Sequence, residues 1–335
     1  MHRLLYVFLF MLVLQPGNLC AQVLPTFGNS RTGGSGMQFL KIAPDARSLS
    51  MGNSGVATVQ DLSAIYWNPA AISYLDTGKV NAMLAHTLYF GDVQANYAAV
   101  AKRVGQLSSL AIGVMSMQYG TMNETTEFDP KGTGRTFSVT SYAIHLAYSR
   151  ILTQNFSFGL NGKFANEGFA GVQINNVLFD LGLLYNIGVM NTRFGVSFSN
   201  FGFNVSPSGS VTLIKFSGEQ ELNNFTDISV PALFRIGAAF DPLKRGDHRI
   251  SVSGQLNHPT DNNETYALGS EYSYLNLAFF RTGYEFKSDA GYAFPSVGLG
   301  MKLNWRFLVT RIDYGFLAKN TLGNVNRLTL SFTLK

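Results

Sequence analysis

Charge is scarce in this chain. Of its 335 residues only 13% are Asp, Glu, Lys or Arg, against about 25% in an ordinary soluble protein. Long apolar runs are missing too. No stretch approaches the roughly 18 consecutive apolar residues that a membrane-crossing helix needs, so a helical membrane protein is excluded. Disorder is excluded from the other side, because low charge with 46% hydrophobic residues reverses its signature. Cysteine occurs once, at Cys20, which leaves no disulfide framework. The formal net charge is +5 and no run of five or six like charges appears, too little to argue for nucleic acid. What is plentiful is glycine, 34 residues, and aromatic side chains, 13%. Low charge at ordinary hydrophobicity fits a transmembrane β-barrel, whose outer face is apolar and whose inner face is polar.

Residues 1–21 read as a secretory signal. Arg3 supplies the positive start, Leu4–Leu14 is unbroken and apolar, Pro16 and Gly17 end the helix, and Ala21 precedes the expected cut. The apolar run is too short to span a bilayer. Cys20 would suit a lipid anchor only if a small residue stood where Leu19 is. Cleavage after Ala21 removes the one thiol and leaves an outer-membrane protein as the expected product.

From residue 22 to about 78 the chain is rich in Gly, Ser and Asn and has no period-2 pattern. Helical turns are expected near Asp45–Ser50 and Ser63–Tyr66. From 79 to 335 the pattern changes to alternating stretches of about ten residues, divided by Gly, Asn, Asp and Pro. Fourteen stretches fit: 79–89, 92–104, 106–120, 135–150, 154–166, 172–188, 191–200, 230–241, 247–258, 263–273, 276–286, 292–303, 306–317 and 325–334. Merging neighbours would give twelve; either number is even, as a bacterial barrel requires. In the last stretch Leu328, Leu330, Phe332 and Leu334 oppose Arg327, Thr329, Ser331 and Thr333. The fold class predicted is therefore all-β, an antiparallel transmembrane barrel of about 14 strands. A soluble sandwich would alternate in the same way with its apolar face inward.

In a barrel the charged faces point to the lumen, because an unpaired charge facing lipid costs about 2–4 kcal/mol at midplane. Lys163, Asp180, Arg235, Arg249, Arg281, Arg311 and Asp313 are the expected lumen charges, with Asp180, Glu271, Glu285 and Asp313 pairing with Arg235, Arg281 and Arg311. Tyr89, Phe90, Tyr97, Tyr119, Tyr148, Tyr185, Tyr284 and Phe286 lie toward strand ends, as a girdle would, although β-propensity alone also places aromatics in strands. Catalytic and metal chemistry is hard to assemble. His86, His145, His248 and His258 have no metal-ligand spacing. His145 has Ser141 and Ser149 four residues to either side, and a polar lumen histidine explains it better than a hydrolase. Gly33-Gly34-Ser35-Gly36 has neither the strand before it nor the lysine after it of a phosphate loop. No cofactor and no catalytic residue is predicted.

Two stretches resemble the PorV/PorQ family of outer-membrane proteins, a branch of FadL-like barrels. The first is Phe39-Leu40-Lys41-Ile42, Ala46-Arg47, Met51-Gly52, then Asp61 and Ala64-Ile65-Tyr66-Trp67-Asn68-Pro69-Ala70-Ala71. The second is Pro130-Lys131-Gly132-Thr133-Gly134 with Phe137, followed by Tyr148-Ser149-Arg150 and Gly159. Asp45, Ser48-Leu49-Ser50 and Gln60 depart from the family pattern. Taken alone, Trp67, Asn68, Pro69 and Ala70 suit a turn before the first strand or a plug inside the barrel. The resemblance implies the plug, spanning residues 22–78 ahead of a barrel over 79–335. It further implies a non-enzymatic role in type IX secretion, with the translocon and the C-terminal domains of cargo as partners beside the outer-membrane lipid. The expected contacts are the loops Thr121–Arg135 and Gly202–Ser229, with Phe203, Ile214 and Phe216. FadL-like ancestry also implies the alternative of passive transport of a small hydrophobic compound.

Overall fold

Period-2 alternation is the only strong local signal after residue 79, and it becomes one closed antiparallel sheet. The computed structural model describes residues 34–75, 80–216, 218–287, 291–320 and 322–334; the expected leader lies outside them. The barrel strands are β1 (Val80–Leu88), β2 (Val93–Val104), β3 (Ser108–Asn123), β4 (Thr136–Ile151), β5 (Phe156–Phe169), β6 (Val172–Ile187) and β7 (Thr192–Phe201) in the first half. The second half holds β8 (Leu233–Arg245), β9 (His248–Pro259), β10 (Thr265–Tyr274), β11 (Ala278–Phe286), β12 (Ser296–Asn304), β13 (Leu308–Lys319) and β14 (Gly323–Leu334). Each strand pairs with its sequence neighbours, and β1 pairs with β14 from Asn81↔Thr333 to Leu88↔Asn326, which closes the ring. Among the described residues the helices are all short, and none is long and apolar enough to cross a membrane.

The wall is inside out relative to a soluble protein. Leu146 is 61% exposed and Leu299 60%, and large apolar side chains such as Leu84, Ile112, Leu181 and Leu268 lie open on the outer face. Facing inward, Arg281 and Asp313 are 0% exposed, and Lys163, Asp180 and Arg235 are buried. A soluble sandwich would show the opposite arrangement; an apolar exterior over a polar interior is what a lipid-embedded barrel requires.

Two irregularities shape the strands. Pro242 lies where the β8–β9 register shifts between Phe240 and Leu243, the kind of bulge at which a sheet tolerates a residue without an N–H. Between β6 and β7 the pairs Phe179↔Phe201 and Leu181↔Phe198 leave Ser199 and Asn200 opposite Asp180 alone. Asn200 takes a left-handed conformation there, φ 61°, which asparagine accepts more readily than most residues.

The two rims differ. On the rim nearest Val80 and Leu334 every connection is a short turn, from 105–107 round to 305–307. The opposite rim carries the long connections 124–135 and 202–232, the latter containing a small hairpin of Val211–Lys215 and Gly218–Leu222. We refer to these as the turn rim and the loop rim.

Candidate functional site

The interior is filled by the N-terminal segment. Residues 37–75 form short helical turns at Gln38–Lys41, Ala46–Ser50, Ala64–Trp67 and Pro69–Tyr74. Asp45 starts the second of these, accepting the Ser48 N–H at 2.7 Å, as an N-cap carboxylate does. Its other oxygen accepts from Trp67 Nε1 at 2.7 Å, tying two stretches of the segment together. Burial, reinforced by the charge of Asp61, holds the Asp45 carboxyl above its ordinary range despite these hydrogen bonds. The segment crosses the lumen: Ala46–Ser50 packs on β11–β14, Val56 on β7 and β8, and Pro69–Tyr74 on β3–β6.

Trp67, Asn68, Pro69 and Ala70 are all buried against the wall. Asn68 is extended, φ −161° and ψ 99°, as the residue before proline must be. Its Oδ1 accepts from Ala70 N at 3.1 Å, and its Nδ2 donates to the carbonyls of Val56 at 3.0 Å and Leu183 at 2.9 Å. The Ala70 carbonyl accepts from Ser149 Oγ at 2.9 Å and Ser157 Oγ at 3.2 Å. The wall approaches this closely because it carries glycines. An ideal Cβ at Gly159 would stand 2.3 Å from the Pro69 carbonyl carbon, and one at Gly182 would stand 2.2 Å from Asn68 Oδ1. No side chain fits at either distance.

The expected lumen charges gather into two networks and one isolated stack. Lys163 Nζ lies 2.7 Å from Asp180 Oδ1 and also donates to Asn200 Oδ1. Asp180 accepts from Asn161 Nδ2 and from the Asn200 N–H, each at 2.7 Å; the bulge at Ser199–Asn200 turns that N–H toward it. The second network centres on Glu271, bonded by Arg47 Nε at 2.8 Å and Arg281 Nε at 2.7 Å. Arg281 and Arg311 both reach Asp313, at 2.8 and 2.9 Å, and Arg249 lies 3.8 Å from Glu271.

Some expected pairings are replaced. Asp180 meets Lys163 rather than an arginine. Glu285 accepts from Asn53, Thr265 and Tyr292. Arg235 pairs with no carboxylate among the described residues. It stands over the rings of Tyr66 and Trp67, at 4.9 and 5.1 Å, and donates to Ser199 Oγ and Tyr66 Oη. A ring face attracts a guanidinium by its quadrupole, and Arg stacks on it without a counter-charge. Burial pushes the Tyr66 phenol up to about 12, which keeps it protonated to donate to the Lys41 carbonyl at 2.6 Å. Tyr97 is also misplaced as a girdle residue. It points inward, is buried, and donates to the Leu62 carbonyl, because Asn96 and Ala98 take the outward positions of β2.

His145 is buried beside Asn161, with Nδ1 and Asn161 Nδ2 3.1 Å apart. Ser149 donates to carbonyls rather than to His145, so no serine–histidine pair forms. No metal-ligating group of three His, Cys, Asp or Glu occurs among the described residues. Gly33 lies outside the described residues; Ser35 and Gly36 are bound into the loop rim at Ser229 and Asp261.

Two cavities flank the plug. One of about 660 Å³ opens at the turn rim, lined by residues including Val59, Leu62, Arg193, Arg249, Glu271 and Arg311. The other, about 310 Å³, opens at the loop rim over Trp67, Tyr66 and Arg235. No lining residue is shared. Above the loop rim Phe203 and Phe216 are 72% and 74% exposed, whereas Ile214 is half-buried. Phe216 packs at a tilt against Phe128 of the other long connection, ring centroids 4.6 Å apart, and its N–H donates to Glu127 Oε2 at 2.9 Å.

Arg47, the partner of Glu271 from within the plug, carries no sequence mark of a site residue. A lone arginine amid glycine and serine has no local signature, and its partner lies 224 residues away.

The family described as Type IX secretion system protein PorV matches residues 27–260. No curated protein matches the chain. Among solved structures the chain is similar to the Pseudomonas putida toluene transporter TodX, at 13% identity and TM-score 0.61, covering 93% of this chain and 99% of that one. It is similar to the Ralstonia pickettii toluene transporter TbuX at 13% identity and TM-score 0.59, covering 87% and 97%. A Pseudomonas aeruginosa FadL homologue matches at 11% identity and TM-score 0.51, over 87% and 98%. At such identities these likenesses establish a shared FadL-like fold and nothing about ligands.

Proposed function

We propose that this chain, which belongs to the PorV family of type IX secretion system proteins, is a non-enzymatic outer-membrane component of protein secretion. It binds the translocon, its cargo, or both through the loop rim. Short periplasmic turns and longer outer loops are the rule in such barrels, so the turn rim is assigned to the periplasm and the loop rim to the cell exterior. The observation that carries the reading is the aromatic bridge between the two long connections. Phe128 and Phe216 hold them together while Phe203 and Phe216 stay open to solvent. Exposed aromatics on a braced surface are the anchors from which protein interfaces are built. The leader over 1–21 and the plug-and-barrel division at 78/79 belong to the same proposal.

The test is copurification from native outer membranes in mild detergent. A translocon component or cargo should accompany the wild-type chain, and the double substitution Phe203→Ala, Phe216→Ala should lower recovery at least tenfold while the folded barrel persists. Equal recovery with the variant would reject the loop rim as the contact surface. Failure to recover any secretion component with the wild-type chain would reject the role.

The fold shared with toluene transporters keeps passive transport of a small hydrophobic compound as a second reading. Against it, the lumen between the cavities is crossed by Trp67 and by the Arg47–Glu271 pair, which offers a greasy molecule a charged path.

A further inference from the structure

The Glu271 carboxylate stands among four guanidiniums. Arg47 and Arg281 bond it directly, and Arg311 Nη2 and Arg249 Nη2 lie at 3.7 and 3.8 Å. Among the described residues Asp313 is the one other carboxylate within 4 Å of these arginines, hydrogen-bonded by Arg281 and ion-paired with Arg311. Four positive charges therefore share two negative ones. Glu271, Asp313, Arg47 and Arg281 are all buried, and an uncompensated charge is costly in such a place.

The excess borders the 660 Å³ cavity at the turn rim, where Arg249 and Arg311 form part of the wall. Two more cations, Arg193 and Lys302, line the same cavity, and Asp61 is the only acid added to Glu271. Arg193 is 7% exposed, and its nearest carboxylate, Asp241, is 3.9 Å away. Lys302 pairs with no carboxylate among the described residues. Among the described residues the buried Nε of Arg193, Nε of Arg249 and Nη2 of Arg311 find no hydrogen-bond acceptor. Buried donors of this kind ordinarily have partners, and guanidiniums match carboxylate and phosphate oxygens in pairs. The cavity volume falls in the range of small-molecule sites, roughly 300–1,000 Å³.

We propose that this cavity binds a small dianion bearing carboxylate or phosphate groups, held by Arg193, Arg249, Arg311 and Lys302. A dianion neutralises the excess of two charges and offers acceptors to cationic side chains that line the cavity. The ligand enters from the turn rim, away from the loop surface assigned to protein partners, so the two proposals stand or fall separately.

Calorimetric titration of the full chain in detergent tests this, with inorganic phosphate and succinate as separate probes and succinamide as the uncharged control. One anion should bind with one-to-one stoichiometry, weaken as salt rises, and leave the control unbound; which anion wins separates the phosphate from the dicarboxylate. Arg193→Gln with Arg249→Gln should weaken binding at least tenfold. Lys302→Gln, which disturbs no buried pair, should weaken it severalfold and guards against a double variant that fails to fold. Absence of binding at millimolar anion, or affinity unchanged in Lys302→Gln and in a folded arginine variant, overturns the proposal.

Discussion

Glu271 is 2% exposed and takes hydrogen bonds from Arg47 and Arg281. Replacing its carboxylate leaves four arginines with Asp313 alone, and breaking a buried ion pair from one side costs about 3–5 kcal/mol. Glu271→Gln should therefore lower the temperature at which the folded band converts to the unfolded one in heat-modifiable gel mobility. A conversion temperature equal to wild type would show that water, not Glu271, balances the cluster. The glycines allow a sharper comparison. A Cβ at Gly283 would stand 2.1 Å from the Met51 carbonyl carbon and 2.2 Å from Gly52 N, backbone atoms that have no rotamer to change. A Cβ at Gly162, on the outer face, would meet nothing within 4 Å. Gly283→Ala should displace the plug and raise protease sensitivity within residues 46–56, while Gly162→Ala should behave as wild type. Equal behaviour of the two variants would mean the plug is not seated on the wall in this way.

At the level of elements, the first helical turn is latched to the loop between β9 and β10. Asp261 accepts from Ser35 at 2.5 Å and from Gln38 at 2.8 Å, and Lys41 Nζ lies 3.0 Å from it. Burial alone would raise this carboxyl, but those hydrogen bonds and the Lys41 charge outweigh it and hold its pKa below the ordinary value. A depressed carboxylate stabilises the fold above its unfolded pKa, about 3.9, and that contribution is lost as pH falls through the lower folded value. Amide exchange at residues 36–41 should thus be slow at neutral pH, and Asp261→Asn should speed it without altering exchange in β1 or β14. The barrel strands were legible because alternation is a local property: Leu328 to Leu334 show it within ten residues. The turns near Asp45 and Ser63 were legible from their polar starts. The path of the plug was not, because Pro69 is positioned by Gly159 and Trp67 by Asp45 and Arg235, contacts that leave no trace in neighbouring sequence. The hairpin within 202–232 was equally hidden, as its strands are short and mixed in character. Nothing around Arg235 in the sequence points to its stacking on Tyr66, since a cation seeking a ring has the same sequence context as one seeking an acid.

For the whole molecule, the scarcity of charge divides by face. The outer face is almost bare of it, and inside the charges brace a filled interior around two cavities that share no wall residue. Reconstituted into liposomes, the protein should not speed toluene uptake over protein-free vesicles; faster uptake would favour the transport reading. The plug also bears on how such a ring shuts. Asn81 and Thr333, joined at the seam by a hydrogen bond, are separated by 252 residues. Bringing the ends of so long a stretch together costs entropy that grows with the logarithm of its length, and contacts of such separation slow folding. Residues 46–51 rest on the last strands and residues 68–73 on β4–β6, so one short segment grips both halves of the sheet. The ring is therefore stapled twice, at its seam and from within, and the inner staple meets the last strands across a sequence gap about as long as that of the seam.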